Sequence, residues 1–183
     1  MKKLFDTLAT HYPISRITQQ RSDLWFCTVT QVHAIDLILH LRDYQGFSHL
    51  NFITAVDYPE QDAIQLTYML HNHTIQRSLG IRVLLNRQQP EMPSLHHAWM
   101  QVATYQRELK EMYGISFPGS PGLDDGFALE GWHDVPPMLR TFDTKKYSEE
   151  TYFPRPGRVT HDPKTYMKQQ LYPDAAEEQT DEA

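Results

Sequence analysis

Proline and glycine placement constrains this chain more than any other feature. Eight of its 12 prolines and six of its 8 glycines fall between Gly114 and Pro173. Proline removes a backbone donor and fixes φ, and glycine pays extra entropy inside regular elements. Helices and strands are therefore expected mainly before Gly114. This divides the chain into a folded core over 1–114, an extended arm over 115–173 and a tail over 174–183. The tail carries five acids and no base, and is expected to lack structure. A length of 183 residues fits one domain with an extension.

Charge divides along the same line. Residues 1–100 hold 8 acidic and 8 basic side chains, whereas 101–183 hold 15 and 9. The net charge of −6, with no basic block, argues against phosphate-backbone partners. The single cysteine, Cys27, excludes an internal disulfide, a CxxC redox pair and a four-cysteine iron–sulfur site on this chain. Its alternating position in an apolar run predicts a small buried residue. No stretch approaches the ~18 apolar residues of a spanning helix. Lys2 and Lys3 have no apolar run behind them, so no signal peptide is expected.

Within the core, the periodicity changes repeatedly. Lys3–His11 reads as a short helix, and Ile14–Gln19 and Leu24–Val29 read as strands. Thr30 is the expected N-cap of a helix through Tyr44, with Val32, Ile35 and Ile38/Leu39 on its apolar face and Gly46 beyond its end. Leu50–Asp57, Ile64–Leu70 and Ile81–Leu85 read as strands, the first two joined by a turn over Tyr58–Asp62, while 76–80 joins or prolongs the others. Ser94 is the expected N-cap of a last helix, with Leu95, Ala98/Trp99, Val102, Tyr105, Leu109 and Met112/Tyr113 on one face and Gly114 as its stop. The fold class is α+β: a mainly antiparallel sheet covered by helices, followed by a long extended C-terminal arm. The arm has no periodicity but is studded with Phe117, Phe127, Trp132, Phe142, Tyr147, Tyr152, Phe153, Tyr166 and Tyr172. Aromatic residues at that density predict a segment lying along another surface rather than a free coil.

Candidate chemistry is sparse. His71-Asn72-His73 puts two imidazoles on one strand face and His96-His97 sits at a helix start, but neither has a carboxylate or thiolate at a metal-site spacing. These histidines read as solvated or capping groups. No nucleophile elbow, P-loop or dinucleotide fingerprint is present. The segment 106–114 differs. Arg107 and Glu111 are one helical turn apart, with Glu108 beside them, where the last helix hands over to the arm. A fork of guanidinium donors at that joint is suited to fixing the arm's departure, against the plainer reading of a solvated charged face.

This region resembles the 30 kDa subunit family of respiratory complex I, the C subunit of the bacterial enzyme. The family pattern runs P-x-V-P-S, a Trp-bearing helix, then E-R-E-x-x-D-M-F-G-I-x-F-x-G-H-P. The chain has Pro90-Glu91-Met92-Pro93-Ser94, Trp99, then Gln106-Arg107-Glu108-Leu109-Lys110-Glu111-Met112-Tyr113-Gly114-Ile115-Ser116-Phe117-Pro118-Gly119-Ser120-Pro121. Upstream, Thr54-Ala55-Val56-Asp57-Tyr58-Pro59 resembles the family's T-x-V-D-Y-P turn. It departs at Gln106, Glu111, Tyr113 and Ser120, where the family has Glu, Asp, Phe and His. Trp132 ahead of Pro137-Met138-Leu139-Arg140-Thr141-Phe142 is closer to the related subunits of membrane-bound energy-converting hydrogenases and formate hydrogenlyases.

The resemblance implies a protein with no catalytic or metal residues and no cofactor of its own. Iron–sulfur clusters, with nickel–iron or quinone, would belong to its partners. It implies a core packed on small iron–sulfur subunits, and an arm lying across a large catalytic subunit of the 49 kDa or nickel–iron hydrogenase type. The location implied is peripheral, on the cytoplasmic side of the inner membrane. The partner-binding set is then Arg107, Glu108, Glu111, Tyr113, Gly114, Phe117, Pro121, Trp132, Arg140 and Phe142. The same subunit in an NADH- or ferredoxin:quinone oxidoreductase, a free adaptor or assembly factor, and a histidine-metal enzyme are the alternatives.

Overall fold

The computed structural model describes residues 1–129 and 131–152, and the single positions Lys164, Met167 and Leu171. Its first compact unit runs from Met1 to Phe142. The elements of this unit are α1 (Lys2–Ala9), β1 (Ile14–Arg21), β2 (Leu24–Val29), α2 (Gln31–Tyr44), β3 (His49–Tyr58), β4 (Ala63–Asn72), β5 (Arg77–Asn86) and α3 (Val102–Tyr113). Five strands form one sheet in the order β1-β2-β5-β4-β3. Only β2 and β5 run parallel; the other neighbours are antiparallel. The α+β class with a mainly antiparallel sheet therefore holds.

The sequence explains the layering. β4 sits between two neighbours and is buried almost along its whole length, whereas the edge strand β1 is exposed from its second residue on. On one sheet face Cys27, Ile53, Ala55, Leu66, Tyr68, Ile81 and Val83 pack beneath the helices. α2 lays Ala34, Leu37, Ile38 and Leu41 onto this core. The expected face through Val32 is displaced, and Val32 is 82% exposed. Apolar residues surround this helix on nearly every side, so periodicity alone could not choose its buried stripe. Thr30 does occupy the N-cap position, but its hydroxyl makes no capping bond. Gly46 follows the helix at φ +73°, in the left-handed region expected of it.

The last helix starts at Val102, eight residues after the expected cap. Residues 95–101 form successive turns instead. Trp99 Nε1 donates to the Ser48 carbonyl and Gln101 Nε2 to that of Leu50, tying these turns to the start of β3. Tyr105 donates likewise to Asn51. These side chains cover carbonyls along the outer edge of β3, which an edge strand would otherwise leave open.

The core does not stop at Gly114. Ile115 and Phe117 are fully buried. Backbone bonds from Met92 to Ser116, Ser116 to Pro90 and Ser94 to Pro118 lay the stretch before α3 beside the stretch after it. Leu123 and Leu139 also pack against the core. Apolar side chains placed singly, without periodicity, carry the chain back over the sheet through Phe142. The second unit, taken by itself, begins at Asp143. It contains α4 (Thr144–Tyr152), so this part of the predicted extended arm is helical. Asp143 Oδ1 accepts the N–H groups of Lys145 and Lys146, a side-chain N-cap. The predicted tail over 174–183 and the aromatic positions Phe153, Tyr166 and Tyr172 lie outside the described residues.

Candidate functional site: two carboxylates that hold a returning segment

α3 buries Val102, Gln106 and Leu109 and turns its charged residues outward. Gln106 is fully buried, and its Oε1 accepts the Ser94 hydroxyl at 2.7 Å. The two halves of the motif around α3 are thus joined by a side-chain bond as well as by their backbones. Ser94, expected to cap a helix, donates this bond while its Oγ accepts the His96 N–H at 3.2 Å, a cap-type bond that opens a turn rather than a helix.

Arg107, Glu108 and Glu111 do not form one cluster. Glu111 accepts three consecutive backbone N–H groups, from Phe127 (2.8 Å), Ala128 (2.9 Å) and Leu129 (2.9 Å). Partial burial raises its carboxyl pKa, and the three donors more than offset this and hold it below the usual range. Lys110 pairs with Asp124 of the same loop. Arg107 is half-buried and lines a cavity of about 300 Å³ with Lys110, Glu111, Leu123 and Trp132; its guanidinium has no hydrogen bond or ion pair among the described residues. Glu108 turns toward a second, mostly apolar cleft of about 280 Å³, shared with Ile53, Leu109, Tyr113 and Met138.

A second carboxylate holds the end of the returning segment. Asp57 lies on the inward-facing side of β3, in step with Ile53 and Ala55, and is 3% exposed. Arg87, just past β5, meets it with two bonds: Nε to Oδ1 at 2.6 Å and an Nη to Oδ2 at 2.9 Å. The backbone N–H of Arg140 donates to Oδ2 at 2.9 Å. The Arg87 bond, opposed by burial and joined by the Arg140 N–H, holds the Asp57 carboxyl below its ordinary range. The Arg140 guanidinium reaches Glu60 on the surface at 2.7 Å.

Between these points the segment closes on α3. Met138 N–H donates to the Met112 carbonyl, one of the helix-end acceptors that need a partner. Gly114 adopts φ +76°, and an added Cβ would stand 3.4 Å from the Pro136 ring. Trp132 and Phe142 meet edge to face at 5.4 Å, and Trp132 Nε1 donates to the carbonyls of Asp134 and Val135. Tyr113 packs against the core; burial, then Asp57 and Glu108, raise its pKa. Phe117 is a core residue, and Pro121 lies exposed on the segment before the Glu111-bound loop.

The structure thus joins Glu111, Trp132 and Arg107 around one cavity, and brings Tyr113, Gly114, Arg140 and Phe142 to the returning strand of chain. Asp57 and Arg87 lie outside the set expected from sequence. A carboxylate in step with Ile53 and Ala55 on the buried side of a strand demands a counter-charge, and that alternation is the signal that could have found them. The Cys27 thiol is buried and its pKa pushed up to about 12, so it remains a neutral packing group. Among the described residues no helix is long and apolar enough to cross a membrane.

Comparison with known proteins decides the family. Residues 27–148 match the family described as respiratory-chain NADH dehydrogenase, 30 Kd subunit. The chain belongs to this family. It is 38% identical over 87 residues to the C subunit of NADH-quinone oxidoreductase from Moorella thermoacetica, covering 48% of this chain and 59% of that one. It is 30% identical over 146 residues to the corresponding protein of Laribacter hongkongensis, covering 73% and 72%. The C subunit of F(420)H(2) dehydrogenase from Methanosarcina mazei is 31% identical over 84 residues, covering 46% and 53%. The chain thus spans about three-fifths of the Moorella relative. Among solved structures, a chain of an archaeal membrane-bound sulfane sulfur reductase shares the fold, with a TM-score of 0.78 at 19% identity over 88% of this chain and 96% of that one. Asp57, Arg87, Glu111 and Arg140 all fall inside the stretch matched to the 30 kDa family.

Proposed function

We propose that this 30 kDa-family chain is an assembly subunit that docks a large catalytic subunit onto the small iron–sulfur subunits of a complex I-like oxidoreductase. It acts from the cytoplasmic side of the membrane and contributes no redox group. Family membership carries this reading, since its relatives are by name subunits of such oxidoreductases. The two carboxylate anchors give it a physical basis. They hold the returning segment against the core at 127–129 and at Arg140 before any partner arrives, which lowers the entropy that docking must overcome. Arg107 and Glu108, each at the mouth of a cleft beside that segment, are the charged groups assigned to partner contact.

The finer reading places the chain in the energy-converting hydrogenase branch. It rests on Trp132, which here packs on Phe142 at the end of the Pro-Met-Leu-Arg stretch. Copurification of the tagged chain from membranes, with mass spectrometry, tests both levels. A large subunit together with iron–sulfur subunits supports docking, and cysteine pairs near both ends of that large subunit support the hydrogenase branch. Recovery of the chain free of oxidoreductase subunits would overturn the docking reading.

A further inference from the structure

We infer that His49, His71 and His73 form a surface site for a single divalent transition-metal ion of the zinc type. The strand register sets His49 directly opposite His71 across β3 and β4. His73 is the first residue of the turn after β4, and its ring stands against both of the others. The His71 and His73 rings lie 4.7 Å apart by their centroids, and the His49 and His73 rings 5.2 Å apart. Two imidazoles bound tetrahedrally to one zinc ion, with Zn–N of about 2.0–2.1 Å, place their ring centroids about 5 Å apart. Two of the three ring pairs therefore already stand at the spacing that chelation requires.

Two further features favour a ligand role. His71 Nδ1 lies 2.9 Å from Ser78 Oγ on β5, which leaves Nε2 for an ion and orients the ring, as a supporting bond does for a metal-binding histidine. Asn72, between the two β4-side histidines, is 5% exposed and fixes the backbone there. Its Oδ1 accepts the N–H groups of Thr74 and Ile75, and its Nδ2 donates to Gln45. Among the described residues no group of three or more His, Cys, Asp or Glu side chains is arranged to hold a metal ion as the side chains stand, so the site requires the rings to turn. His49 and His73 are both exposed, which leaves their rings room to turn. Imidazole donors without thiolate or carboxylate select zinc, nickel or copper over magnesium or calcium. An ion there would fasten the start of β3 to the β4–β5 turn.

The test is calorimetric titration of the untagged full chain with ZnCl2, alongside His49→Ala, His73→Ala and His33→Ala, an exposed histidine of α2. The inference predicts one ion bound tighter than about 100 μM, at least tenfold weaker binding in both the His49 and His73 variants, and no change in the His33 variant. Absence of saturable binding, or affinity that survives either His49→Ala or His73→Ala, would overturn it.

Discussion

Asp57 and Glu111 do the same task in two different environments. Each is a carboxylate of the core that captures backbone N–H groups of the segment folding back over it. Asp57 is sealed from solvent and faces a bidentate arginine, with one backbone donor added. Glu111 stands half-buried on α3 and uses three backbone donors, with no ion pair among the described residues. The difference follows from solvation. A charge removed from water needs partners strong enough to offset its desolvation, and for Asp57, with a single backbone donor, the Arg87 bond is the largest of them. A carboxylate still touching water needs only geometry. Asp57 should therefore govern global stability, and Glu111 the order of one loop.

The largest effect is expected at Asp57. Asp57→Ala strands Arg87, which keeps about one-sixth of its side-chain exposure. The loss should be about 3 kcal/mol, at the low end for a broken buried pair. Urea unfolding of the single variants and of Asp57→Ala/Arg87→Ala measures it; the double variant should recover part of the loss. An additive double variant would show that the pair acts as two unrelated residues. Glu111→Ala comes next, at about 1–2 kcal/mol in the local opening of the 127–129 loop rather than in global unfolding. Its mark should be new proteolytic cleavage near 127–129 at nearly unchanged global stability. Cleavage spread equally over the core would contradict a local role.

Acid should act through both anchors. Their folded carboxyl pKa values lie below the unfolded ones, so the unfolded chain takes up protons first as pH falls. The stability they contribute is present above about pH 4 and is lost as pH falls through the folded values. Melting curves of Asp57→Asn should show a shallower loss in that window than wild type. An identical slope would remove Asp57 from the acid response. The smallest effect is expected at Arg140. Its guanidinium meets Glu60 in the open, while its backbone N–H serves Asp57. Arg140→Ala should leave the melting midpoint unchanged within error. A clear drop would mean that the side chain, not the backbone, carries the contact.

The strands are legible in the sequence because each has a period, whereas α4 falls in a stretch that reads as extended arm. All five strands fall within two residues of their expected ends, once 76–80 is taken as the start of β5. What escapes is tertiary. The buried stripe of α2 depends on which of several apolar sides meets the sheet. Ser94 does accept the His96 N–H as a cap would, but a turn follows rather than a helix, and its hydroxyl also donates to Gln106 twelve residues on. The return of the chain over the core after Gly114 has no period to read, since it depends on isolated residues such as Phe117 and Leu139. The Arg107/Glu108/Glu111 group is legible as charged and near the joint. Its three members point to different neighbours, which spacing along a helix cannot reveal. Asp57 stands out in sequence only as part of a turn motif, but its role comes from a strand position facing inward.

Hydrogen–deuterium exchange on the full chain, read at 127–129 and 138–142, tests most directly whether two separate carboxylates hold the returning segment. In wild type both stretches should be protected without any partner. Asp57→Asn should speed exchange at 138–142 and spare 127–129; Glu111→Gln should do the reverse. Exchange at free-peptide rates in the wild-type chain, or joint loss of protection in both variants, would contradict the account.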